Sequence, residues 1–369
     1  MTTGPEPRRA RRGLPGMPSR LWRPRRVLVT RSALTHAHGR AIAERAAGLG
    51  ADIIELSGDR LSLPKPEDPR AAYREAKATL AVVVASKSKR RLQPIPPSAD
   101  WRFDLAEGCH AHCQYCYLAG SLAGPPVTRV YANVEEILAG LPQALGQGGV
   151  TSVSPERAGE GTTFEASCYA DPLGIEHLTG SLSEAIRFFG AWDAPVQLRF
   201  TSKFGEVGPL IGLPHGRRVR VRLSVNAQAL IRFEGGTSPL SERIEAIGRL
   251  ARDGYRIGLT IAPIQPFEGW QEGYADLFDQ TARALDGAAD PDLTAEFITH
   301  RFTPKSKTVL QDWYPGSDLD LDEARRSRKL TKFGSTKWVY PAPQMREMRD
   351  TLTALLAERL PQARMLYWT

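Results

Sequence analysis

The sequence has little cysteine and no long apolar run, and each shortage excludes a class of protein. Four cysteines in 369 residues are too few for a disulfide-rich secreted scaffold. No apolar run approaches the roughly 18 residues that a membrane-spanning helix needs, and the first residues lack the apolar segment typical of a secretory signal. We therefore expect a cytoplasmic protein without a membrane partner, long enough for one large domain and a smaller one.

Acidic residues are scarce in the first 26 residues. That segment holds eight arginines and one glutamate, a charge of +7, which leaves +1 of the total +8 for the rest of the chain. Its Arg, Pro and Gly content predicts a disordered arm over residues 1–25. Such an arm favours a phosphate backbone without reading base sequence, although a solubilising extension explains the same composition.

Strand and helix patterns alternate along the rest of the chain. Residues 26–98 predict a small α/β unit that ends in the basic, proline-rich linker SKSKRRLQPIPPS. Residues 99–328 predict six further strand–helix repeats, with a single helix over 175–192, and residues 329–369 predict a hairpin, a helix and a last strand. The fold class is therefore α/β, with a parallel sheet that is either open or curled into a partial (β/α)6 barrel and whose strand ends gather polar residues at one edge.

Three of the four cysteines lie together in CHAHCQYCYL, residues 109–118. In a reducing compartment such spacing is more typical of a metal site than of disulfides. The thiolates of Cys109, Cys113 and Cys116 can hold three corners of a [4Fe–4S] cluster and leave one iron open. Zinc is the alternative, because a neighbouring histidine or the distant Cys168 could complete a tetrahedral set.

This CxxxCxxC loop, which follows the first predicted barrel strand, resembles the cluster loop of radical S-adenosylmethionine enzymes. The likeness narrows to the spore photoproduct lyase family through EGCHAHCQYCYL, FEASCYADPLGIEHLTGSL, RFTSKF, RLSVN and APIQPFEGWQEGY. It implies a barrel of the radical SAM type and a [4Fe–4S] cluster that binds S-adenosyl-L-methionine. The implied activity reverts 5-thyminyl-5,6-dihydrothymine in DNA to two thymines by means of a 5′-deoxyadenosyl radical.

The resemblance also implies roles for individual residues. Cys168 matches the cysteine that donates a hydrogen atom to the product radical, while Tyr115 and Tyr117 match tyrosines that relay hydrogen back. The positions expected to contact the cofactor are Tyr117, Lys203, Ser224 and Asn226. Without the resemblance, Cys168 is interpreted as an ordinary buried thiol and the tyrosines as packing around the loop.

Two departures from the family pattern bear on the substrate. Ala170 stands where the family has a serine that helps hold the cofactor, and Lys332-Phe333 stand where it has Arg-Tyr near the lesion. The expected DNA contacts are Lys332, Phe333, Lys337 and Trp338, since cationic and aromatic side chains suit phosphate and an extruded base.

The resemblance implies two partners, DNA containing a thymine dimer lesion and an electron donor such as flavodoxin or ferredoxin. The enzyme itself is expected to be a monomer. Two alternatives stay open from the sequence. One is a family relative that uses the same radical chemistry on another nucleoside or small molecule. The other is a zinc-containing protein that binds DNA through the arginine-rich arm.

Overall fold

The computed structural model describes residues 21–63, 66–121, 126–151, 154–330 and 334–369, so residues 1–20 of the expected arm lie outside it. The strands in this part of the chain are β1 (Arg26–Val29), β2 (Asp52–Glu55), β3 (Thr79–Val83), β4 (Gln93–Ile95), β5 (Ala99–Phe103), β6 (Ala106–Glu107), β7 (His112–Cys113), β8 (Thr128–Tyr131), β9 (Thr162–Ala166), β10 (Val196–Ser202), β11 (Val219–Val225), β12 (Glu234–Gly235), β13 (Arg256–Ile264), β14 (Thr294–Thr299), β15 (Ser327–Leu330), β16 (Thr336–Val339) and β17 (Arg364–Trp368). The helices are α1 (Ala37–Gly48), α2 (Pro69–Lys77), α3 (Leu118–Ser121), α4 (Val134–Ala139), α5 (Glu176–Thr179), α6 (Ser181–Ala191), α7 (Leu240–Arg252), α8 (Trp270–Ala284), α9 (Pro304–Trp313) and α10 (Ala342–Arg359). None of these helices is both long enough and apolar enough to cross a membrane.

The smaller sheet has the strand order β2-β1-β3-β8-β6. Its central strands β1 and β3 are mostly buried and apolar, and Val27 and Leu80 pack with Ile42 of α1 in one core. Strand β8 lies beyond residue 98, so the sheet draws on both sides of the expected linker. The division into units at that residue stays a prediction. Strand β6 pairs antiparallel with β8 and leads directly into the cysteine loop.

The larger sheet has the order β17-β14-β13-β11-β10-β9-β5-β4, and every neighbouring pair is parallel except the edge pair β4–β5. Arg199 on β10 donates to Glu296 on β14 at 2.6 Å although β11 and β13 lie between them. In a flat sheet strands three places apart are about 14 Å apart. The sheet therefore curls into a half-barrel, in agreement with the predicted α/β fold. The count of six repeats stays a prediction.

The concave side of the larger sheet is held together by paired charges as well as apolar side chains. Arg222 on β11 donates to Glu296 at 2.9 Å and also bonds Glu165 on β9, so one guanidinium bridges two acidic strands. Tyr367 on β17 donates to the same Glu296 at 2.9 Å. Buried charges are tolerated only when they are paired in this way. The Tyr367 hydroxyl links the last strand to the same group of charges.

The single helix expected over residues 175–192 is wrong, because two helices meet at Gly180. This glycine has a φ of 67°, the left-handed conformation that ends a helix. The Glu176 side chain accepts hydrogen bonds from the backbone N–H groups of Leu182 and Ser183, both at 2.9 Å. These bonds satisfy donors that the start of α6 would otherwise leave unpaired. The break places α5 against α1 of the smaller sheet.

Candidate active site at the cysteine loop

The cysteine loop is anchored at its start and in its middle by backbone contacts. Gly108 has a φ of 77°, and a Cβ atom there would lie 2.1 Å from the carbonyl oxygen of Val127. Only glycine fits such an approach. Further along, β7 pairs antiparallel with β12, and Gln114 N donates to Phe233 O at 2.8 Å. The chain before the first cysteine and the chain between the second and third are thus both fixed.

Two thiols of the loop, those of Cys109 and Cys113, lie in surroundings that disfavour their charged form. Burial raises the pKa of Cys109 to about 11, against which the nearby Lys77 acts weakly, and burial likewise raises the pKa of Cys113. The ammonium of Lys77 donates to the carbonyl oxygens of Cys109 and Ala111. Thiols of this kind become good ligands only when a cation replaces their protons.

The geometry of the donor set fits a cluster better than a single metal ion. Across the described ranges, no three His, Cys, Asp or Glu side chains are close enough to hold one ion. Around one zinc ion with bonds of 2.3 Å the ligand sulfurs would lie about 4 Å apart. In a [4Fe–4S] cluster each thiolate binds a different iron. Cys109, Cys113 and Cys116 can therefore hold three irons of a cluster without meeting at one point.

The two histidines of the loop are engaged elsewhere. The His110 ring is buried between Trp22 and Phe204, with both ring centroids at 4.9 Å. The Nδ1 atom of His112 lies 3.0 Å from the hydroxyl of Tyr73. Within the described ranges, no histidine joins two other Cys, His, Asp or Glu side chains in a group that could hold one zinc ion.

A second group of side chains connects the loop to the barrel. Glu234 on β12 is fully buried and accepts from Lys203 Nζ at 2.6 Å, from the hydroxyl of Tyr115 and from Arg243. Although burial opposes its charge, Lys203 and Arg243 hold the pKa of Glu234 below its usual value. Lys203 Nζ also reaches Ala262 O at 3.3 Å. Tyr115 and Lys203, two of the expected site residues, therefore share one carboxylate.

Cys168 lies in a tight turn after β9 that is bonded to the cysteine loop. Ser167 has a φ of 56°, and its hydroxyl accepts from Leu105 N at 2.9 Å. Tyr169, directly after Cys168, accepts a hydrogen bond at its carbonyl oxygen from Gly108 N at 2.9 Å, at the start of the loop. The hydroxyl of Tyr117 donates to the carbonyl oxygen of Cys168. The structure thus brings Tyr117 to Cys168, whereas Tyr115 points to Glu234.

The thiol of Cys168 is set in partly buried, charged surroundings. Burial, assisted by the carboxylate of Asp104, raises its pKa to about 12, while Arg102 acts in the opposite direction. The sulfur accepts a hydrogen bond from Arg102 Nη1 at 3.6 Å. At neutral pH the group is therefore a protonated thiol. A protonated thiol has an S–H bond to give, which a thiolate lacks.

Two residues expected to contact the cofactor lie at the carboxyl end of β11. Ser224 is buried and pairs in register with Thr260 of β13. Asn226 donates through Nδ2 to Pro263 O at 2.8 Å, and its Oδ1 accepts from the hydroxyl of Tyr274 at 2.8 Å. Both ends of the Asn226 amide are thus bonded within the protein. The side chain therefore connects the end of β11 to Pro263 and to Tyr274 of α8.

The C-terminal hairpin carries the expected DNA contacts. Strands β15 and β16 pair antiparallel, and Trp338 N donates to Phe302 O at 2.7 Å, which ties the hairpin to the barrel. Partial burial, Arg301 and Lys329 together lower the pKa of Lys337. Lys332 and Phe333 lie outside the described residues.

Sequence reasoning missed three charged residues that the structure places at the site, namely Arg102, Asp104 and Glu234. Arg102 and Asp104 stand two apart in WRFDLA, a spacing that predicts one face of a strand, and Asp104 lies directly after the end of β5. That alternation was the available signal. Glu234 had none, because it precedes two glycines in an irregular stretch and meets its partners only through the fold.

Comparison with known sequences gives a consistent result over nearly the whole chain. A family model described as spore photoproduct lyase matches residues 22–369. The spore photoproduct lyase of Geobacillus sp. (strain Y412MC61) is 38% identical over 348 residues, covering 94% of this chain and 98% of that protein. The enzyme of the same name from Bacillus subtilis (strain 168) is 37% identical with the same coverage.

Solved structures agree with this match. A spore photoproduct lyase complexed with dinucleoside spore photoproduct superimposes with a TM-score of 0.85 at 38% identity, covering 94% of this chain and 99% of that one. A double mutant of spore photoproduct lyase with bound AdoMet and dinucleoside spore photoproduct also gives 0.85, at 37% identity.

Proposed function

The chain belongs to the spore photoproduct lyase family, and from the geometry of its site we propose which residues carry out the repair. It is a radical SAM lyase that reverts the spore photoproduct in DNA to two thymines. Its cofactors are a [4Fe–4S] cluster and S-adenosyl-L-methionine. We propose that Cys109, Cys113 and Cys116 hold the cluster and that Cys168 donates a hydrogen atom to the product radical.

The observation that carries this assignment is the bonded contact between the cysteine loop and the Cys168 turn. Gly108 N donates to Tyr169 O, and the Tyr117 hydroxyl donates to Cys168 O. When bound, the cluster and S-adenosyl-L-methionine supply the 5′-deoxyadenosyl radical that takes a hydrogen atom from C6 of the lesion. The two contacts support the proposal, because they hold Cys168 next to the loop that we propose as the holder of the cluster.

The remaining roles follow from charge and position. Lys203 is a cation at a strand end, held by Glu234, and suits the carboxylate of the cofactor. Tyr117 is 60% exposed yet bonded to the Cys168 turn, so it can approach the thiol after the transfer. We propose that it relays hydrogen back to sulfur. Tyr115, whose hydroxyl bonds Glu234, acts by positioning Lys203.

DNA is the partner that presents the lesion. The lesion has to leave the duplex to reach a site set at the strand ends of a barrel, and a damaged, poorly stacked base costs least to extrude. Lys337 and Trp338 on the hairpin are proposed to contact the extruded nucleotides. We further propose a one-electron donor of the flavodoxin or ferredoxin kind and a monomeric enzyme.

The test of the central assignment is Cys168→Ala, prepared and assayed without oxygen with S-adenosylmethionine, dithionite and a spore photoproduct dinucleotide. The variant should retain its iron and still form 5′-deoxyadenosine, because Cys168 is not needed for either. The thymine radical should then persist and be trapped by species derived from dithionite, giving an adduct. Clean repair to two thymines would contradict the assignment, and loss of iron would make Cys168 a metal ligand.

A further inference from the structure

The guanidinium of Arg102 is held against the sulfur of Cys168 from several sides. Its Nη2 atom donates to Gln93 Oε1 at 2.7 Å, on the edge strand β4, and its Nη1 atom donates to Cys168 Sγ at 3.6 Å. The Tyr169 ring lies under the guanidinium carbon at 4.5 Å. Asp104 approaches Nη1 at 3.9 Å. A side chain fixed by four neighbours makes its contact with sulfur a built feature of the site.

The main chain on either side of this sulfur is fixed as well. Ser167 is in a left-handed conformation, and its hydroxyl accepts from Leu105 N at 2.9 Å and Ala106 N at 3.2 Å. The Tyr117 hydroxyl bonds the carbonyl oxygen of Cys168. With the backbone held, the rotation about the Cα–Cβ bond of Cys168 decides where the thiol hydrogen points. Among the described residues, Arg102 donates a hydrogen bond to the sulfur itself.

We propose that Arg102 is a positioning residue for hydrogen transfer, which directs the S–H bond of Cys168 away from the guanidinium and toward the substrate. The inference rests on the proposed role of Cys168. In that step the S–H bond breaks homolytically, the hydrogen atom forms a C–H bond with the thymine radical, and the unpaired electron is left on sulfur. The guanidinium N–H donates to a lone pair on one side of the sulfur. The thiol hydrogen must then point to another side of the sulfur, because two hydrogens cannot occupy the same position.

The same contact acts on the charge of the thiol. The charged and titratable groups that act on Cys168 are Asp104, Glu165, Tyr117 and Arg102. The carboxylates assist burial in keeping the thiol protonated, and Arg102 opposes them. One carboxyl oxygen of Asp104 is buried and has no hydrogen-bond partner among the described residues, so its charge is balanced mainly by Arg102. Removal of the guanidinium should therefore make the thiol less acidic.

The test compares Arg102→Met, Arg102→Lys and the control Lys89→Met in anaerobic holoenzyme. Lys89 lies near the same edge and pairs with Glu107 at 2.7 Å. The measured quantity is the ratio of repaired thymine to dithionite-derived adduct. We expect this ratio to fall about tenfold in Arg102→Met, the scale of losing one charge-assisted hydrogen bond, and to fall less in Arg102→Lys. Iron content and 5′-deoxyadenosine formation should be unchanged in all three, and Lys89→Met should match the wild-type ratio.

A second readout separates positioning from a merely structural role. Alkylation of Cys168 by iodoacetamide, followed by peptide mass spectrometry at fixed pH, should become several-fold slower in Arg102→Met because the thiol is less acidic. If Arg102 only packed the sheet edge, its loss would loosen the turn and speed alkylation. Faster alkylation with a normal product ratio would overturn the inference.

The same variants distinguish the role of Arg102 from the role of Cys168 as hydrogen donor. A wild-type ratio in both Arg102 variants, while Cys168→Ala gives adduct, would overturn the role of Arg102 and leave Cys168 as donor. Clean repair by Cys168→Ala would overturn both. If Arg102→Met fails to fold, Arg102→Lys decides, because it keeps the stem and charge but cannot bond Gln93 and sulfur at once.

Discussion

The cysteine loop and the Cys168 turn offer thiols nearly the same surroundings for opposite purposes. Burial raises the pKa of Cys109 to about 11 and that of Cys168 to about 12. A hydrogen donor has to keep its proton, so burial suits the role proposed for Cys168. A cluster ligand has to lose its proton, so burial opposes the role proposed for Cys109, and only the charge of the irons would reverse the balance. The difference between the two sites is therefore made by the cofactor more than by the fold.

The largest effect is expected from removing one ligand of the loop. Cys113→Ala should abolish both cluster assembly and cleavage of S-adenosylmethionine, because two thiolates cannot hold a cube that already lacks one protein ligand. Iron analysis and 5′-deoxyadenosine formation measure this, with Cys168→Ala as the control that keeps its iron. Wild-type iron in Cys113→Ala would remove the distinction between the two sites.

This contrast also shows what sequence reasoning could reach. The spacing of Cys109, Cys113 and Cys116 predicts the cluster ligands, and the family motif around Cys168 predicts the hydrogen donor; both stay predictions. The α/β class followed from alternating strand and helix patterns. The partners of those thiols were not found, because Arg102 and Glu234 act through contacts that join distant segments. Likewise β8 joins the smaller sheet from beyond the expected linker, which no local pattern reveals.

The protonation of Cys168 itself gives the next largest effect. With a pKa near 12, only about one thiol in ten thousand is ionised at pH 8, so alkylation in the holoenzyme should be roughly a thousandfold slower than for free cysteine. Because the folded pKa is raised, the rate should keep rising about tenfold per pH unit up to pH 10. Peptide mass spectrometry after iodoacetamide treatment gives the rate. A plateau below pH 9 would show that burial does not hold this proton.

The support of the loop is tested by Glu234→Gln. The change leaves Lys203 and Arg243 without their shared counter-charge inside the protein, which should lower the free energy of unfolding by about 3 kcal/mol. It should also weaken binding of S-adenosylmethionine, since Lys203 is no longer held. Denaturant titration and cofactor binding provide the two measurements.

The matched control is Glu323→Gln, whose carboxylate pairs with Lys307 at 3.0 Å on the surface. Exposed pairs contribute about 0.5 kcal/mol, so this variant should stay close to wild type. Equal losses in the two variants would mean that burial of the Glu234 pair adds nothing.

The smallest effect is expected at Ala170, two residues beyond Cys168, the proposed hydrogen donor. The family has a serine there that helps hold the cofactor, and Ala170 here packs against the core of the smaller sheet. Ala170→Ser should add one hydrogen bond worth about 1 kcal/mol, and so lower the KM for S-adenosylmethionine roughly fivefold. The alkylation rate of Cys168 and the iron content should not change, because the new hydroxyl serves the cofactor and not the thiol.

Ala170→Gly is the control, since it alters the side chain without adding a hydroxyl. A KM that falls equally in both variants would point to backbone freedom, whereas a changed alkylation rate in Ala170→Ser would show that the turn cannot be altered for the cofactor without disturbing the donor.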